Sequence, residues 1–176
     1  MKIFLTGRPG IGKTTIIKKW ISEILEQAGG FYTEEIREKG KRIGFKIKTI
    51  DGKEGILAEI GRGKYNIGKY KVNLETFEEI GVKTLEEELK DERIKYIIID
   101  EIGKMELFSE KFKLVVKDIL KSNKNVIGVI TMANNEFIEE LKKYDIKIIE
   151  INEKNRNILL NKKLKEIENE ISRTKC

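Results

Sequence analysis

The chain has 176 residues, 39% of them apolar and 38% charged, and its 36 basic and 30 acidic side chains leave a net charge of +6. Such length and mixed charge fit one folded domain over residues 1–176 rather than a disordered chain, and no block of like charge forms a nucleic-acid arm. A single cysteine, Cys176, and no histidine exclude disulfides, zinc clusters, Cys–His pairs and Ser-His-Asp triads, so a metal must be held by oxygen, which favours Mg²⁺.

In chain order, Ile3-Phe4-Leu5 predicts a short buried strand, and Gly7 to Gly12 a loop with three glycines and the only proline. Lys13-Thr14-Thr15 then opens a helical pattern. Gly7-Arg8-Pro9-Gly10-Ile11-Gly12-Lys13-Thr14 is therefore G-x-x-x-x-G-K-[ST] between a strand and a helix, the context this motif needs. Loop N–H groups and the helix N-terminus suit a phosphate. Lys13 is expected to reach the β- and γ-phosphates, and the Thr14 hydroxyl to ligate Mg²⁺. Arg8 either reaches the nucleotide or faces water.

Ile16, Ile17, Trp20, Ile21, Ile24 and Leu25 recur at helical spacing, with Trp20 on the core stripe, and Gly29-Gly30 is expected to end that helix. Phe31–Arg37 predicts a strand, Glu38–Lys41 a turn, Arg42–Ile50 a half-buried strand, Asp51-Gly52 a hairpin turn and Glu54–Ile60 its return. Gly61-Arg62-Gly63-Lys64 is a basic loop. Residues 37–72 thus form an antiparallel excursion in a chain that otherwise alternates strands and helices. Asn73 is expected to cap a helix to Lys90, with Gly81 its weak point. Ile94–Glu101 predicts a buried strand, Ser109 caps a helix through Leu120, and Asn125–Thr131 is a further strand. Asn134 or Asn135 starts a short helix, Ile146–Ile151 is the last strand, and Asn155 opens a helix to about Ser172. Alternating elements imply a parallel sheet covered on both faces.

The second half of the site is Tyr96-Ile97-Ile98-Ile99-Asp100-Glu101. An apolar strand ending in Asp is expected to stand beside the phosphate loop and hold Mg²⁺ through that Asp. Glu101, just after it, is placed to take a proton from an attacking water, or else to serve as a structural ion-pair partner. Thr131, at a strand end, is placed to sense the γ-phosphate or only to cap the strand. Thr33, Glu34, Glu35 and Arg37 line the cleft or face solvent at its mouth, and Lys104 and Glu106 touch phosphate or each other.

Asp100-Glu101-Ile102-Gly103-Lys104-Met105-Glu106-Leu107-Phe108-Ser109, with Gly30-Phe31-Tyr32-Thr33-Glu34-Glu35-Ile36-Arg37 and the phosphate loop, resembles the P-loop nucleoside-triphosphatase family of thermophiles and vertebrates (cancer-related nucleoside-triphosphatase). The likeness runs from Met1 to about Arg156. It implies an α/β, three-layer, RecA-like P-loop fold. It also implies Mg²⁺-dependent hydrolysis of ATP, GTP, CTP, UTP and TTP to diphosphate and phosphate, with loose base selectivity. On that resemblance the nucleotide-contact segments are Gly7–Thr15 and Ile97, Ile98, Ile99, Asp100, Glu101, Ile102, Gly103 and Lys104. Lys13 and Glu101 are then the catalytic pair, Thr14 and Asp100 hold the metal, and Asn155-Arg156 contacts the base or ribose.

Other readings of the same loop stay open. A small-molecule kinase would use Arg62 and Lys64 as a lid. A guanine switch would need a base-reading Asp that Asn161-Lys162-Lys163-Leu164 lacks. A nucleotide-dependent interaction protein would hydrolyse only incidentally, and the sequence names no protein partner. No arginine finger is evident, so slow turnover is expected. With a core strand at residue 3 and no long apolar run, a cytoplasmic protein without membrane contact is expected. Abundant Ile, Lys and Glu fit a thermophile or a base-composition bias.

Overall fold

The computed structural model describes residues 1–133 and 135–173. Its strands are β1 (Lys2–Thr6), β2 (Ala28–Glu38), β3 (Lys41–Thr49), β4 (Glu54–Ile60), β5 (Asn66–Ile67), β6 (Tyr70–Val72), β7 (Tyr96–Ile102), β8 (Asn125–Ile130) and β9 (Lys147–Glu150). Its helices are α1 (Lys13–Ser22), α2 (Leu74–Phe77), α3 (Lys83–Lys90), α4 (Glu110–Lys121), α5 (Glu136–Leu141), α6 (Arg156–Asn161) and α7 (Leu164–Arg173).

Ile3, Phe4 and Leu5 are wholly buried, so β1 must be an interior strand. It pairs in parallel with β8 on one side and β9 on the other, and β7 joins β8 to β2, also in parallel. The nine-stranded order is β5-β6-β4-β3-β2-β7-β8-β1-β9. From β2 outward the strands β3, β4, β6 and β5 are antiparallel, the expected excursion. One strand, β8, stands between β1 and β7, which is the RecA-like order. The sequence expectation that the acidic strand adjoins the loop strand is corrected here: β7 is two strands from β1.

Side-chain alternation makes the three layers. Phe4, Ile97, Ile99 and Val126 face one helical layer with Phe77, Leu85, Phe112, Val116 and Leu141. Ile3, Leu5, Ile98, Ile127 and Val129 face the other, with Ile16, Ile17, Trp20 and Leu164. Phe31, Phe77 and Phe112 form an aromatic knot, with ring centroids 5.1–6.1 Å apart.

Other expectations change in detail. Gly29-Gly30 lies inside β2 rather than ending a helix. A Cβ on Gly30 would sit 2.0 Å from the Ile98 carbonyl oxygen, so glycine is required by close strand packing. Helix α1 stops at Ser22, where Glu23 turns its carboxylate to accept the Leu164 N–H at 3.1 Å. Asn73 does not cap with its side chain, which donates to the Ile56 carbonyl instead. The predicted helix to Lys90 is interrupted by a π-turn at Glu78–Val82. Gly81 lies in that turn, where a Cβ would come 2.7 Å from Ile47. Ser109 and Asn135 cap α4 and α5 as expected, accepting from Phe112 N and Phe137 N; Asn134 lies outside the described residues. The C-terminal helix is two, α6 and α7. Among the described residues no helix is long and apolar enough to cross a membrane.

Candidate active site

The loop between β1 and α1 has the backbone of an anion cradle. Gly12, the residue before α1, has φ 108°, a conformation that a side chain would strain. No side chain caps α1, so its first-turn N–H groups are left facing the loop, where they and the helix dipole suit a phosphate. Lys13 Nζ donates to the carbonyls of Gly7 at 2.8 Å and Arg8 at 3.1 Å, holding the ammonium over the loop.

The acidic residues come from β7. Its ladder to β8 breaks between Ile99 and Ile102, and Asp100 and Glu101 fall in that gap. Asp100 is 2% exposed, and its Oδ2 is buried with no hydrogen-bond partner. Burial pushes its carboxyl up to about 7, with Thr14 pulling it down and the charge of Glu101 adding to the rise. Burial also raises Glu101, against the Lys13 ammonium. Although β8 intervenes, Asp100 and Thr14 face each other across the cavity floor. An orphaned carboxylate oxygen beside a hydroxyl is a donor set that suits a hard cation such as Mg²⁺.

These groups line one cavity of about 760 Å³, with Gly7, Pro9, Gly10, Gly12, Lys13, Thr14 and Thr15 on one side and Asp100, Glu101, Lys104, Met105 and Glu106 on another. That volume is ordinary for a small-ligand site. Residues 2–164 match the model of the NTPase family. The chain belongs to this NTPase family. A nucleoside-triphosphatase from Thermotoga sp. (strain RQ2) is 57% identical over 163 residues, covering 92% of each chain. The crystal structure of a relative from Aquifex aeolicus superposes with a TM-score of 0.81 at 41% identity, over 91% of this chain and 95% of that one. The solution structure of a human cancer-related nucleoside triphosphatase gives 0.77 at 35% identity, over 90% and 93%.

Around the two cavities of this NTPase-family chain, the predicted residues separate. Arg8 turns away from the main cavity to pair with Glu153 at 2.5 Å. With Ile11 it lines a second cavity of about 540 Å³, formed with residues of the segment after β9. Ile97, Ile98, Ile99 and Ile102 are wholly buried in the two cores and line neither cavity; they serve as the rigid strand beneath Asp100. Thr131 lines the main cavity, and its hydroxyl accepts the Ala133 N–H. Thr33, Glu34 and Glu35 line it too. Glu34 pairs with Lys18 and Lys48, and Glu35 with Arg37 and Arg42, so both carboxyls are held below their usual range, chiefly by Lys18 and Arg42. Arg156 lies exposed on α6, its side chain bonded to Asn157 and its N–H to the carbonyl of Asn152, a residue that lines the second cavity.

The far wall comes from the antiparallel strands: Arg42, Phe45, Leu57 and Ile67. Sequence reading did not single these out. Arg42, not Arg62 or Lys64, presents the cation on this wall, fixed by Tyr70 at 3.0 Å and Glu35 at 2.8 Å. Bulges at Ile36/Arg37 and Phe45/Lys46 re-aim these side chains, and a strict two-residue alternation cannot place a bulge.

Proposed function

We propose that the chain hydrolyses nucleoside 5′-triphosphates (ATP, GTP, CTP, UTP and TTP) to diphosphate and phosphate, with Mg²⁺ as cofactor and loose base selectivity. The observation that carries this is the convergence of an uncapped helix N-terminus, Lys13, the Thr14–Asp100 pair and Glu101 on one cavity. Thr14 and the free Asp100 oxygen would hold the ion, which when bound neutralises charge on the phosphate oxygens. Loop amides and Lys13 bind and orient the triphosphate. Glu101, raised by burial, accepts the proton of a water as its oxygen attacks the γ-phosphorus. The bond from that phosphorus to the bridging oxygen breaks, and the diphosphate leaves with the electron pair.

The test is phosphate release from a panel of triphosphates with and without Mg²⁺. Lys13→Ala is expected to lose binding and turnover together. Glu101→Gln is expected to keep Mg²⁺–nucleotide binding and to lose turnover by 10²-fold or more, on the order of a missing general base. Normal hydrolysis by Glu101→Gln would remove the assignment of Glu101 while leaving the nucleotide site intact. A second reading draws on the apolar wall of Phe45, Leu57, Ile67 and Met105, which a water nucleophile does not need. A small-molecule acceptor against that wall would make the chain a kinase, and the same assay would then yield a phosphorylated product instead of free phosphate.

A further inference from the structure

Gly103 is pinched between two acids. A Cβ built on it would lie 2.3 Å from Glu101 Oε1 and 2.9 Å from Glu106 Oε2, so both carboxyl groups close on the same side of its Cα. Glu106 Oε2 accepts the Gly103 N–H at 3.2 Å. Glu106 opens the single 3₁₀ turn after β7, Glu106–Phe108, and is 3% exposed although it lines the catalytic cavity. No cation pairs with it among the described residues.

An acid buried beside a second acid, with no cation, resides there as the neutral form. Burial, and then the charge of Glu101, pushes Glu106 up to about 8. A neutral carboxyl keeps one O–H to donate. Its Oε2 accepts the Gly103 amide, the carboxyl also accepts its own backbone N–H, and the Glu101 carboxylate closes on the same side of Gly103 as Oε2. If Glu106 served only to satisfy the Gly103 amide, a backbone carbonyl or a Ser would do so without burying an acid next to the residue that handles the water.

We propose that Glu106 is a positioning residue for Glu101: anchored by the Gly103 amide, its neutral carboxyl donates a hydrogen bond that fixes the Glu101 carboxylate toward the attacking water. Gly103 is what lets the two groups meet. This rests on Glu101 acting as the acceptor of the water's proton.

The test compares Glu106→Met, Glu106→Gln, Gly103→Ala, Glu101→Gln and the double variant Glu101→Gln/Glu106→Met. Each is measured for kcat, for affinity toward a mant-labelled ATP with Mg²⁺, and for Tm. Methionine keeps the length with no donor and only a weak sulfur acceptor, and Tm reports whether the fold survives. Glu106→Met is expected to lower kcat about 10–100-fold, the usual cost of losing a group that orients an active-site ligand, with affinity unchanged. Glu106→Gln, whose amide can accept from Gly103 and donate to Glu101, is expected to restore kcat to within a few-fold of wild type. Gly103→Ala is expected to lose kcat with affinity intact. Adding Glu106→Met to Glu101→Gln is expected to cost nothing further, because the two act as a unit. Wild-type kcat in Glu106→Met, an equal loss in Glu106→Gln, or multiplied losses in the double variant would each overturn the proposal. Full turnover in Glu101→Gln alone would instead overturn the role of Glu101, and that single variant shows it independently.

Discussion

Asp100, proposed to hold the metal, shows what such a role costs in stability. Its carboxyl is buried with one oxygen unpartnered, the arrangement that folding alone disfavours. Since burial raises its pKa to about 7, the carboxyl of the metal-free protein is neutral below that pH and ionises above it at a cost in stability. Asparagine has the same shape and no charge to bury. Asp100→Asn is therefore expected to raise Tm by several degrees at pH 8 in EDTA. It is expected also to lower affinity for Mg²⁺–nucleotide by 10-fold or more, so that ligand no longer stabilises it as it does wild type. Thermal melts with EDTA and with Mg²⁺–nucleotide check both halves. A lower Tm in EDTA would mean that Asp100 is a structural residue.

At the scale of elements, what the sequence shows and what it hides divide along a physical line. The loop between β1 and α1, the strands β1, β7 and β8 and the caps at Ser109 and Asn135 were legible because each depends on local chemistry: glycine and lysine spacing, continuous apolar runs, a side chain accepting an N–H. Ends and breaks set by distant partners were not. Gly29-Gly30 has the look of a helix stop, but its meaning lies in Ile98 and Glu88, which crowd where their Cβ atoms would be. The π-turn at Glu78–Val82 and the small strands β5 and β6 likewise depend on what they pack against. In the site, Lys13 and the acidic pair were readable as motifs, whereas Arg42 reaches the cavity only through bulges and a hairpin. Helix α1 likewise depends on distant residues. Trp20 is wholly buried against the C-terminal helices, with its Nε1 donating to the Lys162 carbonyl at 3.3 Å, and Lys19 donates to the Leu160 carbonyl. Trp20→Ala is expected to cost about 3–5 kcal/mol, or roughly 10 °C or more in Tm for a chain of this size. A loss below about 1 kcal/mol in denaturant titration would show that α6 and α7 do not hold the phosphate-loop helix.

For the whole molecule, the buried acids predict an unusual pH dependence. Glu88, Asp100 and Glu106 are all raised, to about 7, 7 and 8, burial being the first cause in each. Their unfolded values lie near 4. Between about pH 4 and 8 the folded state therefore binds more protons than the unfolded one, and stability falls as pH rises. The surface acids Glu34, Glu35, Asp51 and Glu78 are lowered instead, so their contribution is present above about pH 4.5 and is lost only in acid. The slope across the neutral range then belongs to Glu88, Asp100 and Glu106, and to Glu101, which burial also raises. Metal-free protein is expected to lose several degrees of Tm between pH 5 and 8.5. Glu88, on α3 against Gly29 and outside the lining of the main cavity, isolates the effect: Glu88→Gln keeps the shape, removes the charge and should flatten the slope without touching turnover. A Tm that stays level or rises over that range in EDTA, or an unchanged slope in Glu88→Gln, would mean that these carboxyls ionise in the fold at little cost, and that water reaches the floor of the site.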